Sequence, residues 1–336
     1  VPRDQVRLLV ADEKRIRHAR FADMHRYLAS GDLLVVNTSA TLPAAADGVR
    51  DDAGGPVVVH FSTDLDDGDR VVELRTAPDA TRPVLDAAPG EQIRFGEPPG
   101  TATLTLVEPL GNQSGHNRLW RAQAGGGLDR HLAAHGRPIR YGYVPDAWPL
   151  QAYQTVFATD PGSAEMPSAG RPFTPDLITR LTSRGIRVAR ITLHTGVSSQ
   201  EVGEPPLPER FRVPQGTADL VNRTRRDGGR IVAVGTTVVR ALESATTGTD
   251  GRFETAEGWT DLVIGPRHPP RVVDSLVTGL HAPNASHLLM LEAIAGPDTV
   301  NRAYRAALRG RYLWHEFGDA CLLLADRARS GSDAVA

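Results

Sequence analysis

The chain of 336 residues holds one cysteine, Cys321, and one lysine, Lys14. A single cysteine excludes an internal disulfide, a CxxC redox pair and a cysteine-rich zinc site, and a cytoplasmic setting is its simplest reading. The other basic residues are all arginine. Lys14 sits in a polar N-terminal segment, so a Schiff-base lysine, which needs an apolar pocket, has no candidate. Net charge is −2, so no overall field marks a polyanion binder and any such binding must use a local patch. No apolar run approaches the roughly 20 residues of a membrane span, and no signal pattern opens the chain. It begins at Val1 rather than methionine, which is consistent with residues preceding it. Also missing are G-x-x-x-x-G-K-[ST], G-x-G-x-x-G after a strand and G-x-S-x-G; P-loop, Rossmann and α/β-hydrolase chemistry lose their first requirement.

What is present is an ordinary globular pattern long enough for about two domains. Short apolar runs at 6–11 and 32–37 flank a helical stretch near 21–30, which predicts an α/β layer. From about Gly48 to Arg140 the pattern changes to short β-type runs, V-V-V-H-F-S, R-V-V-E-L-R-T, E-Q-I-R-F and T-A-T-L-T-L-V, punctuated by Asp-Gly and Gly-Asn turns. That spacing predicts a small antiparallel barrel or sandwich. Gly125-Gly126-Gly127 reads as a loop within it. After Tyr141 the α/β alternation returns, with helices near 175–183, 217–226, 286–295 and 299–309 and strands at 186–194, 232–234, 259–264 and 320–325. The expected architecture is an α/β main domain from 1–47 and 141–336 with an antiparallel β-barrel, 48–140, inserted into it. The tail from Arg327 reads as disordered.

His131 and His135 have metal-ligand spacing on a helix, but Leu132 stands where a zincin needs glutamate; no metal is expected. The arginines of 179–190 and 222–230 form either a basic face for RNA or a solvated helix surface, and interspersed acids with only 5% aromatics favour the latter. Polar punctuation is denser in the second half: Tyr153-Gln154, Ser168-Ala169-Gly170, His194, Gly235-Thr236-Thr237, Thr278, His281 and Asp319 all join or end elements. Ligands of α/β sheets bind beyond the carboxyl ends of strands, so His194 and Thr236, each closing a strand, mark a candidate site. Arg240 is placed early in a helix, where the dipole disfavours a cation, unless an anion is near.

The runs Y-Q-T-V-F-A, P-S-A-G-R-P-F-T, I-T-L-H-T-G, V-A-V-G-T-T-V-V-R-A-L-E-S, V-D-S-L-V-T-G-L-H-A-P-N-A-S and G-D-A-C-L-L-L occur in this order. Together they resemble the S-adenosylmethionine:tRNA ribosyltransferase-isomerase family of queuosine biosynthesis, over nearly the whole length. The resemblance implies S-adenosylmethionine as a substrate, used as a ribosyl donor to an aminomethyl-7-deazaguanine in a tRNA anticodon, with adenine and methionine released. It requires no metal. A sulfonium acidifies the neighbouring C5′ proton, adenine leaves more readily when protonated, and a carboxylate seeks an arginine or helix N-terminus. On this resemblance His281, Asp319, His194 and Glu243 are the expected catalytic groups. Arg240, Gly235, Thr236, Thr237, Tyr153, Gln154, Ser168, Ala169, Gly170 and Thr278 are the expected binders of S-adenosylmethionine, with Arg240 on the methionine carboxylate.

The chain also departs from the family pattern. Arg171-Pro172 replaces a leucine-histidine pair, Glu165-Met166 a pair of alanines, and Thr38-Ser39-Ala40 an Asp-Thr-Arg run after Asn37; V-S-S-Q-E-V follows L-H-T-G, with Glu209 retained beyond it. Three readings follow: a variant-site tRNA enzyme, a relative with a small-molecule or deazapurine acceptor, and a non-catalytic ligand- or RNA-binding module. The changes concentrate around the expected cleft, which favours the small-molecule acceptor.

Overall fold

The computed structural model describes residues 2–51, 55–97, 101–110, 117–141, 144, 146–197, 207–245, 252–265, 268–281 and 287–325. The disordered tail expected from Arg327, most of V-S-S-Q-E-V and the A-P-N-A-S run lie outside them.

The chain opens with β1 (Arg7–Ala11), β2 (Ile16–Arg20), β3 (Leu33–Asn37) and β4 (Ser39–Thr41). It then forms β5 (Ala45–Arg50), β6 (Pro56–Asp64), β7 (Arg70–Thr76), β8 (Gln92–Phe95), β9 (Ala102–Leu110) and β10 (Leu119–Ala124). These six strands close into an antiparallel barrel in the order β10-β7-β6-β5-β8-β9, which decides between barrel and sandwich. Closure removes the free edges that six short strands would otherwise expose. Helix α1 (Leu128–His135) follows the barrel. His131 packs on Phe95 and His135 there, with ring centroids 5.6 and 4.9 Å apart.

The remaining elements are β11 (Asp160–Ser163), α2 (Pro175–Ser183), β12 (Arg187–Leu193), β13 (Glu209–Val213), α3 (Gln215–Arg226), β14 (Ile231–Val234), α4 (Thr236–Ser244), β15 (Ala256–Thr260), β16 (Ser275–Gly279), α5 (His287–Ala295), α6 (Pro297–Arg309) and β17 (Ala320–Leu323). Nine strands form one mixed sheet, β15-β13-β12-β3-β14-β16-β17-β1-β2, and β4 pairs with β11 beside it. The middle strands β12, β3, β14 and β16 run parallel.

Why this middle is buried on both faces is visible in the strand sequences. Leu33 and Val35 of β3, with Ile231 and Ala233 of β14, enter one core with α3 and α4 residues such as Val221 and Val238. Their alternates Leu34, Val36, Val232 and Val234 enter the opposite core with Leu177 and Leu181 of α2. A two-residue period in an unbroken apolar run is what a sheet covered on both sides requires. Helix α2 starts cleanly because the Thr174 hydroxyl accepts the Leu177 N–H at 3.2 Å and Pro175 fills the first position, a cap of about 1 kcal/mol.

Two expected elements differ. The helix near 21–30 is a 3-10 segment, Phe21–Arg26, that ends where Tyr27 N–H bonds to Met24 O at 3.0 Å. The strand expected at 259–264 is β15 and stops at Thr260, because Arg240 draws off the carbonyls of Thr260 and Leu262. Among the described residues no helix is long and apolar enough to cross a membrane.

Candidate active site

The parallel strands bring their carboxyl ends to one edge. Asn37 closes β3, His194 follows β12, Gly235 follows β14, and Leu280-His281 follow β16. Asn37 ties three of these together: its Nδ2 donates to Leu193 O at 2.8 Å and to Thr237 Oγ1 at 3.3 Å, while its Oδ1 accepts the Ser39 and Leu193 N–H groups, each at 3.0 Å. The loop of Ser168, Ala169 and Gly170 lies across the start of α4, where a Cβ on Gly235 would sit 3.4 Å from the Ala169 Cβ. Gly235 also has φ +92°, a conformation that side chains resist. The first turn of α4 has no side-chain cap, and Thr236 and Thr237 are half-buried; the N–H groups that open a helix have no acceptor within it.

Beyond the end of β16, the sheet neighbour of β14, stand three imidazoles. His281 stacks on His287 with centroids 4.5 Å apart and planes within 4°, and the His315 ring, tilted by 42°, has its centroid 3.9 Å from that of His281. The packing dictates Gly279, where a Cβ would come 2.6 Å from the Cβ of His315. Burial holds all three rings below their usual pKa, His315 at about 4, and the neighbouring imidazoles push His281 down further. These are neutral bases at neutral pH.

Next along the chain, Glu316 is pushed up to about 8, by burial first and then by the nearby Glu165, with Arg171 opposing. Tyr141, at the rim of the barrel core, donates its hydroxyl to Glu165. Phe317 carries the Arg171 guanidinium 4.4 Å from its ring centre and meets Tyr153 edge-on at 5.1 Å. Arg171 and Glu165, two of the departures from the family pattern, therefore line one wall. A third, Ser39, bonds to His194 Nδ1 at 2.7 Å.

Several expected site residues are engaged elsewhere. Arg240, in the second turn of α4 and 7% exposed, pairs with Glu209 and donates to Leu262 O at 3.1 Å and Thr260 O at 2.9 Å. Glu243 accepts the N–H groups of Arg271, Val272 and Val273 at 2.8–2.9 Å. Asp319 accepts from Arg7 Nε, Arg7 N and Leu313 N at 2.8–2.9 Å. Each of these carboxylates, and the guanidinium, satisfies buried backbone or a counter-charge within the chain. Gln154 bonds both ways with the Thr41 backbone, and Thr278 is buried within β16. Tyr153 is buried, which pushes its hydroxyl up to about 12.

Sequence reasoning missed His287, His315 and Glu316. The signal was the run Tyr312-Leu313-Trp314-His315-Glu316-Phe317, two titratable groups set among aromatics immediately before a strand.

The model of the queuosine biosynthesis protein family matches residues 1–323. The chain belongs to that family. It is 38% identical over 333 residues to the S-adenosylmethionine:tRNA ribosyltransferase-isomerase of Symbiobacterium thermophilum, covering 96% of this chain and 94% of that protein. To the protein of the same description from Natranaerobius thermophilus it is 32% identical, covering 96% and 93%. Among solved structures it is similar to S-adenosylmethionine tRNA ribosyltransferase from Thermotoga maritima, at 30% identity and a TM-score of 0.52, covering 96% and 94%. Similarity that runs end to end through both the sheet and the barrel overturns the small-molecule-acceptor reading. The chain is an enzyme, so the non-catalytic module falls as well.

Proposed function

We propose that this protein is a tRNA ribosyltransferase-isomerase: it transfers the ribosyl part of S-adenosylmethionine to an aminomethyl-7-deazaguanine of tRNA and rearranges it, releasing adenine and methionine. One observation carries the reading beyond family membership. At the strand ends, three imidazoles held neutral by burial gather around His281 just after β16, and the neighbouring strand β14 leads into α4, whose first turn has no side-chain cap.

Each part has a task. The leading N–H groups of Thr236 and Thr237 suit the methionine carboxylate, since a helix N-terminus favours an anion; Arg240 is not needed there. A neutral imidazole can take the C5′ proton that the sulfonium acidifies, and His281 is the group for it, flanked by two rings that keep it unprotonated. Adenine departs as a poor anion unless a proton reaches it. Glu316, a carboxyl that keeps its proton near neutral pH, can supply one. The barrel-side Tyr141–Glu165 pair closes the cleft from the other domain.

The test is adenine and methionine release, followed by mass spectrometry, from S-adenosylmethionine alone and with tRNA bearing the aminomethyl base. Release that depends on the tRNA, with mass added to it, supports the proposal. Equal release without RNA sinks it.

A further inference from the structure

A groove of about 460 Å³ lies beyond the end of β12, lined by Asp66, Asp160, Thr192, His194, Arg212 and Trp259 among others. It runs between the β6–β7 turn of the barrel and the β12-β13-β15 edge of the sheet. Its rim is built: Asp66 accepts from Arg210 at 2.9 Å and from the Trp259 indole N–H at 2.8 Å, which fixes the indole across the gap between domains.

The groove communicates with the cleft through one short segment. His194 lines it; next along the chain, Thr195 donates to Glu165 O at 2.7 Å, and Gly196 N–H reaches the Glu209 carboxylate at 3.2 Å. His194 Nδ1 is 2.7 Å from Ser39 Oγ, which is 2.6 Å from Ser163 Oγ, and Ser163 Oγ accepts the Thr195 N–H. In the first two contacts either atom can donate, so the chain can reverse direction when the imidazole gains or loses a proton.

Resting on the proposed ribosyl transfer, we infer that this groove is the subsite for the acceptor base. Trp259 offers a ring face to the flat base, Asp160 holds the aminomethyl group as an ammonium, and His194 removes its proton. The proton transfer is complete in itself: an N–H bond of the ammonium breaks, its electron pair stays on nitrogen, and the proton bonds to His194 Nε2. The amine is then a nucleophile, as attack on the ribosyl carbon requires. The charges suit these roles. A hydrogen bond from Thr38, then one from Thr159, holds Asp160 below the usual carboxylate range, and burial keeps His194 neutral. A groove of this size takes one nucleotide, and an aromatic face stacks on a base whichever base it is.

The experiment measures binding by fluorescence anisotropy without S-adenosylmethionine, using anticodon stem-loops with either aminomethyl-deazaguanine or guanine at the target position. Wild type should prefer the aminomethyl RNA. Asp160→Asn should reduce that preference at least fivefold, Trp259→Ala should weaken both RNAs at least fivefold, and Trp259→Phe should stay within twofold of wild type. Equal binding by Asp160→Asn and wild type overturns the ammonium site. A Trp259→Phe protein as weak as Trp259→Ala overturns stacking in favour of the Asp66 brace. His194→Gln should lower kcat at least tenfold at pH 7 with KM unchanged, and recover as pH rises and the amine deprotonates unaided; a pH-independent loss overturns its role. A wild type with the binding preference but no adenine release keeps this groove assignment and removes the ribosyl-transfer reading.

Discussion

His281 lies flat against His287, planes 4° apart, with the tilted His315 ring 3.9 Å from it, centre to centre. Three imidazoles packed this way repel one another once charged, so burial and proximity act in the same direction: both favour the neutral rings. The arrangement makes a base that stays available at neutral pH and fails only in acid.

The pH dependence of stability follows. An unfolded histidine binds its proton near pH 6.5, whereas folded His315 does so only at about 4. Between these values the unfolded state holds more protons, so stability is present above pH 6.5 and is lost as pH falls toward 4. For this ring the loss is at most about 3 kcal/mol. Calorimetry of His315→Phe should show a shallower fall of Tm between pH 6.5 and 4.5 than wild type. An unchanged slope means that the buried ring does not control it.

Glu316 should act with the opposite sign. Its folded pKa of about 8 lies above the ordinary 4.5, so its contribution is full below pH 4.5 and disappears as pH rises through 8, by at most about 5 kcal/mol. Urea denaturation should find Glu316→Gln more stable than wild type at pH 8.5 and close to it at pH 5. Turnover of this variant should fall at least tenfold at pH 7 if the carboxyl proton reaches adenine. Loss of stability at pH 8.5 on substitution would contradict the assigned protonation state.

Gly279 should tolerate no side chain. A methyl group there would come 2.6 Å from the His315 Cβ, and His315 cannot retreat without leaving His281. Gly279→Ala should therefore lower turnover about tenfold or more and move the His281 imidazole resonances in NMR titration toward an ordinary pKa. The double variant Gly279→Ala/His315→Gly should recover the fold, since it removes the Cβ that the new methyl group meets. Wild-type turnover in the single variant would show that the three rings need not touch.

Much of this was legible in the chain. Short apolar runs such as L-L-V-V and I-V-A-V marked strands of the α/β layer, and Asp-Gly turns between short runs marked the barrel. His194, Gly235 and His281 fell at strand ends because an apolar run broken by a polar residue is a local signal. The partners of Arg240, Glu243 and Asp319 within the chain were not legible for a physical reason: a charged residue near a strand end looks the same in sequence whether its partner is a ligand or a distant part of the chain. Glu209 is 31 residues from Arg240, and Arg7 is 312 from Asp319; neither pairing leaves a periodic trace. The clustering of His287 and His315 around His281 likewise depends on tertiary packing.

The Arg240–Glu209 pair yields the sharpest test of that distinction. Both side chains are largely buried, 8% and 13% exposed, and the guanidinium also takes the carbonyls of Thr260 and Leu262 where β15 ends. Removing one partner leaves the other charge without compensation in low dielectric, which costs about 3–5 kcal/mol. Arg240→Met should therefore lower the chemical denaturation midpoint strongly, while S-adenosylmethionine affinity, measured calorimetrically below the unfolding transition, should stay within about threefold of wild type. Arg240→Met/Glu209→Gln should regain much of the stability, since no lone charge remains. Glu209→Gln alone should destabilise as Arg240→Met does. If instead Arg240→Met folds as well as wild type and loses S-adenosylmethionine binding tenfold or more, the guanidinium meets the ligand and the ion pair is secondary.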